Sequence, residues 1–195
     1  MFDSILISLF QCLRNLKLYN LTILPTKEYQ DMVILTGDTS TEDHQSQKEN
    51  NVEVFRIDNE GMVRIKCSIP KFPIKPEGSR GVATQNGILV CGGIIFNLPS
   101  SENIKDCYQL KPRMASWTTF PSMPESAWNF GLVKMRDGVF ALGGQLGQFL
   151  YYDGKWMTIA KGGSYVSYSY GCFAKIDENR IMHIGGGVRM GEGIK

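Results

Sequence analysis

ILVCGG at residues 88–93 is four apolar residues running into a glycine pair, and the pattern returns as VFALGG at 139–144 and IMHIGG at 181–186. MVILTG at 32–37 is a looser copy, with Thr36 standing where the others have their first glycine. Thr36, Gly92, Gly143 and Gly185 lie 56, 51 and 42 residues apart. Recurrence at such a period marks a repeat architecture, in which a unit too small to bury its own faces is covered by its neighbours. The apolar runs do not alternate with polar residues, as expected of a strand buried on both faces.

Working outward, a turn pair precedes three of the runs: Asn86-Gly87, Asp137-Gly138 and Asn179-Arg180. Asn-Gly and Asp-Gly supply the positive φ that a tight hairpin needs, so each unit is predicted to open with strand a, a turn and strand b. Downstream of the glycines comes a strand with a tyrosine and then one with a tryptophan. These are Cys107-Tyr108-Gln109-Leu110 followed by Ser116-Trp117-Thr118, and Leu150-Tyr151-Tyr152 followed by Lys155-Trp156-Met157, the latter two joined through Asp153-Gly154. Each unit therefore reads as four antiparallel strands, a to d.

Gly-Gly, Tyr and Trp in this order resemble a kelch repeat, and Phe120-Pro121-Ser122-Met123-Pro124 is similar to the trailing pattern of that family. The resemblance covers about residues 20 to 195 and implies an all-β fold of β-propeller blades, each of four antiparallel strands. Blade 1 is expected at about 20–78, blade 2 at 79–129, blade 3 at 130–168 and a partial blade 4 at 169–195, forming an incomplete ring. Blade 1 is degenerate, with Thr36, Phe55 and Val63 in place of the first glycine, the tyrosine and the tryptophan. Blade 4 stops before strands c and d, so a fragment of a longer propeller is expected, with self-association through open blade edges as another outcome. Residues 1–19 carry Phe2, Ile5, Leu6, Leu9, Leu13 and Leu16 at helical spacing, which predicts an amphipathic helix or else an extra strand.

Glycine supplies 21 of 195 residues and 11% are aromatic, which suits short strands and tight turns. With 21 Lys and Arg against 19 Asp and Glu and no basic stripe, neither nucleic acid nor a membrane is an expected partner. The apolar run Ile5–Phe10 lacks a basic flank and a cleavage site, so it is not read as a secretory signal. The Asn20-Leu21-Thr22 sequon is accordingly read as a chance match. Cys12, Cys67, Cys91, Cys107 and Cys172 are odd in number and widely spaced, and the expectation is free thiols in an intracellular, cytoplasmic setting.

Alternating strand direction puts the b-to-c and d-to-a connections on one face, and these are the longer loops, including 38–51 and 94–104. Loops on a rigid scaffold are where recognition tends to sit. The d-to-a connections carry Trp128, Tyr165 and Tyr168, side chains of the kind that anchor protein interfaces. The kelch resemblance adds Arg80, which matches an arginine near the start of strand a that peptide-binding members use. Trp128, Phe130 and Tyr170 alternatively pack between blades. The run 38–51 has the composition of a solvated tip.

No catalytic residue, metal site or cofactor is expected. His44 sits in a polar loop and His183 in a strand read as buried, with no ligand set around either. There is no GxSxG elbow, and the glycine-rich end 186–193 has Glu192 and Gly193 where a phosphate loop needs Lys and Ser or Thr. The expected function is a protein-interaction module that binds a protein or peptide, as part of a substrate adaptor in some kelch proteins, and not an enzyme. The alternatives are a fragment of a propeller enzyme of the carbohydrate oxidase or sugar isomerase type, or a truncated product with no independent function.

Overall fold

The computed structural model describes residues 21–24, 31–37, 51–58, 61–65, 70–74, 76–97, 100–136, 138–144, 146, 148–161, 168–169, 171–185 and 187–188. The residues expected to form the N-terminal helix or strand, most of the 38–51 loop, His44, Tyr165, Tyr170, Cys12 and Cys67 lie outside them. The described residues form an all-β chain with no helix, built from antiparallel sheets in the manner of propeller blades.

The first sheet runs in order through β1 (Leu21–Leu24), β2 (Asp31–Gly37), β3 (Asn51–Asp58) and β4 (Gly61–Ile65). In the second, β5 (Arg80–Thr84) and β6 (Gly87–Cys91) are followed by a separate hairpin, β7 (Ile94–Asn97) with β8 (Ser100–Asn103). The sheet resumes with β9 (Cys107–Leu110), which pairs with β6, and β10 (Thr118–Phe120). The third sheet is again sequential: β11 (Gly131–Met135), β12 (Gly138–Leu142), β13 (Gln148–Tyr152) and β14 (Trp156–Lys161). After it, β15 (Tyr168–Ser169) pairs with β18 (Gly187–Val188), and β16 (Cys172–Asp177) pairs with β17 (Arg180–Ile184). The leading strands line up, β1 beside β5, β5 beside β11 and β11 beside β16, and the described strands do not close a ring.

The unalternating apolar run of β6 is explained by its two faces. Leu89 and Cys91 enter a core with Met123, Ala127, Phe130, Leu132, Val139, Ala141, Leu146 and Leu150, shared with the third sheet. Ile88 and Val90, of opposite parity, enter a second core with Phe72 and Leu110. One strand thus buries both sides because a different neighbour covers each.

The recurring tyrosine and tryptophan join one unit to the unit before it. Trp117 Nε1 donates to the Pro70 carbonyl at 3.0 Å, and Trp156 Nε1 donates to the Pro121 carbonyl at 2.8 Å. Around each bond lies an aromatic trio: Phe72 against Tyr108 and Trp117, then Tyr152 against Phe120 and Trp156. A ring buried on its face with its N–H satisfied by a backbone carbonyl meets both demands that tryptophan makes.

Four sequence expectations are corrected. Cys91 and Cys107 are not free thiols but a disulfide, and Cys172 is disulfide-bonded as well. The two cysteines meet because the last residue of β6 is the register partner of the first residue of β9. The hairpin turns fall one residue earlier than the Asn-Gly and Asp-Gly pairs suggest, since Thr84 pairs with Gly87, Met135 with Gly138 and Asp177 with Arg180. Those glycines are the first residues of their b strands, where Gly87 has φ +117° and a Cβ would stand 2.1 Å from the Leu110 carbonyl oxygen. The close approach of strand c, in addition to the turn, demands glycine there. The c-to-d turn of the third sheet holds three residues, since Tyr152 pairs with Trp156. Finally, His183 is exposed rather than a core histidine, because β17 pairs only with β16 among the described residues; it stacks on Phe173 at 4.5 Å.

Candidate binding face

Arg80 opens β5 and is the register partner of Cys91, which ends β6. The start of strand a and the exit of strand b therefore share one edge of the sheet. Three connections are hydrogen-bonded together there. Glu77 and Ile94 exchange two backbone bonds of 2.8 Å, Gly93 N donates to Ala127 O at 2.7 Å, and Asn129 N donates to Gly78 O at 2.9 Å. Ile104 N closes back on Gly93 O at 2.8 Å, while Met123 N donates to Lys105 O at 2.9 Å. Glycine is required at 93, which has φ +109° and where a Cβ would lie 2.6 Å from the Pro76 ring. The result is a surface of loops held by main-chain bonds rather than by side-chain chance.

On this surface Arg80 is half-buried and donates one hydrogen bond, from Nη1 to the Ser79 carbonyl at 3.1 Å. It forms no ion pair among the described residues. Burial lowers its pKa to about 10, so it remains cationic at neutral pH. A guanidinium offers five N–H donors in a planar fork, and a partly desolvated one with donors to spare suits a carboxylate. Trp128 is partly buried in the neighbouring connection, between Ala127, which is fully buried, and Asn129, which has φ +53°. Its carbonyl oxygen would lie 2.7 Å from a Cβ at Gly144, which fixes this connection against the glycine pair of the third sheet.

The structure thus brings Arg80 and Trp128 onto adjoining, hydrogen-bonded segments. Phe130, offered in sequence as packing between blades, is fully buried in the shared core. Of Tyr168 only its place in β15 is described, opposite Val188, and Tyr165 lies outside the described residues. Among the described residues no three His, Cys, Asp or Glu side chains gather as a metal would require. No helix among them is long and apolar enough to cross a membrane.

Two features of this face escape sequence reasoning. Glu125 Oε1 is buried without a hydrogen-bond partner among the described residues, leaving an acceptor to be met by water or a ligand. The β7–β8 hairpin rises from the b-to-c connection with all four residues of β8 exposed. Its polar Ser-Ser-Glu-Asn strand carries no apolar alternation that would announce it.

No protein-family model matches the chain, and no curated protein matches it either. Among solved structures, one described as the structure of YjhT is similar, with a TM-score of 0.59 at 10% identity over 82% of this chain. The match covers 56% of the YjhT chain, so this chain spans little more than half of that length. At this identity the likeness is one of fold.

Proposed function

We propose that the chain is a run of kelch-type propeller blades that binds a protein partner through the edge carrying Arg80, Trp128 and the β7–β8 hairpin. The observation that supports this most is Arg80: a partly desolvated cation with one main-chain bond and no ion pair among the described residues, set among interlocked loops. Such a group is costly to leave half-used unless a partner supplies the missing acceptor. The partner that fits is an extended peptide segment with a carboxylate for Arg80 and an apolar side chain for Trp128. The reading is of a binding module without turnover.

The cytoplasmic expectation rested on free thiols. With Cys91 and Cys107 paired and Cys172 bonded, an oxidising compartment suits the chain better, because such bonds persist where thiols are not kept reduced.

Selection of displayed random peptides on the immobilised chain tests the reading. Arg80→Ala and Trp128→Ala should each weaken the selected peptides about tenfold or more, the scale of an interface anchor. Lys155→Ala, in the c-to-d turn at the opposite edge of the third sheet, should leave them unchanged. Peptides indifferent to both Arg80 and Trp128 would refute the assignment of the face.

A further inference from the structure

Cys91 opposite Cys107 is the last pair of the β6–β9 ladder, and the two are joined by a disulfide. The chain leaves the sheet directly after the first cysteine and re-enters it at the second. The bond therefore sits at the root of the whole excursion that carries β7 and β8. Both cysteines are 1% exposed and belong to the core shared with the third sheet. Above the root, Gly92 N donates to Asp106 O at 3.0 Å and Ile104 N to Gly93 O at 2.8 Å, continuing the cross-link as main-chain bonds. The excursion then reaches sideways, through Ile94 to Glu77 and through Gly93 and Ile104 to Ala127.

The hairpin itself is two-stranded, and β8 is exposed along its length. An isolated two-stranded hairpin is marginal in water. Its order must come from the root and from the lateral bonds that the root positions.

We propose that the Cys91–Cys107 disulfide is a redox clasp for this face. With the bond formed, the excursion 92–106 and the connections hydrogen-bonded to it hold one arrangement. With the bond cleaved, the excursion loosens while the third sheet stays folded. Closure removes two protons and two electrons from the two thiols and passes them to a disulfide oxidant, which departs as two thiols. Opening is the reverse, with a dithiol reductant whose own sulfurs pair as the Cys91–Cys107 bond breaks. Because both sulfurs are buried, the attacking thiolate gains access through local opening of the root, so cleavage follows the stability of the excursion. This inference does not depend on what the face binds.

Backbone hydrogen exchange of the full chain, read by mass spectrometry, tests it, preceded by non-reducing peptide mapping to establish a 91–107 link. In the double variant Cys91→Ala/Cys107→Ala, peptides spanning 92–106 and 123–129 should exchange at least tenfold faster. Peptides from β11–β14 should keep their rates. The wild-type chain held in a dithiol reductant should show the same local acceleration, which covers the case in which the double variant does not fold. Unchanged exchange across 92–106 after cleavage would overturn the proposal, as would equal acceleration throughout β11–β14. Full alkylation of both cysteines in the denatured, unreduced chain would overturn it at the outset.

Discussion

Gly87 has φ +117° with the Leu110 carbonyl 2.1 Å from where a Cβ would stand, while Gly154 has φ +76° with open space around it. Gly154→Ala should cost about 1 kcal/mol, the penalty of left-handed backbone alone. Gly87→Ala should cost at least about 2 kcal/mol, since displacement of strand c adds to the backbone strain. Urea denaturation of the two variants measures the difference. The sequence marks both positions as turn glycines, and what separates them is the distance to another strand, which local sequence does not encode. His183 shows the same limit. Its four-residue setting Ile-Met-His-Ile reads as core, yet exposure depends on whether another strand covers β17. Partial desolvation lowers its pKa below 6.5, so the unfolded chain binds the proton more readily than the folded one. Stability is then fully present above pH 6.5 and declines as pH falls through and below that value. Asp177 and Glu178, whose pKa values are lowered by hydrogen bonds from Asn179 and Lys175, lose their contribution only below their ordinary values of 3.8 and 4.5. Thermal unfolding between pH 7 and pH 5 should therefore show a decline that is reduced in His183→Gln.

The elements are joined by two devices that recur. The Trp117–Pro70 and Trp156–Pro121 bonds carry each tryptophan of strand d to the unit before it. Trp156→Phe keeps most of the ring and removes the donor, and should cost about 1 kcal/mol, the net worth of a hydrogen bond. The same change in Trp156→Phe/Pro121→Ala should cost no less, since the acceptor is main chain; this is checked by chemical denaturation. The second device is the Cys91–Cys107 link, with a sequence separation of 16. Its removal should lower stability by about 3 kcal/mol on loop-closure grounds, measured as a shift in the denaturation midpoint. The strands were legible because the repeat states them more than once, the apolar run into Gly-Gly three times and the following Tyr and Trp twice. The disulfide was hidden by counting cysteines along the chain. Aligning strand b, Ile-Leu-Val-Cys, antiparallel to strand c, Cys-Tyr-Gln-Leu, sets the two cysteines opposite each other and was the signal available.

In the molecule as a whole, successive sheets are laid leading strand to leading strand, and the apolar b strand of the second sheet, β6, is shared between two cores. That arrangement separates the two ends of every sheet. One end holds the short links at Gln85-Asn86, between Met135 and Gly138, and at Glu178-Asn179, while the other holds the interlocked connections with Arg80, Trp128 and the β7–β8 hairpin. Sequence reasoning found this division, because loop lengths differ between the two ends. It set Arg80 and Trp128 on the long-loop end, where they lie, but could not find Glu125 or the hairpin, whose positions depend on packing between units. The central claim is that recognition belongs to the long-loop end. The measurement that tests it most directly is an NMR titration of the isotope-labelled chain with a peptide selected on it, following backbone amides and the tryptophan indoles. The account predicts shifts at residues 77–80, 92–106 and 123–130, with the Trp128 indole among them. Shifts confined to the short turns at 85–86, 153–155 and 178–179 would contradict it.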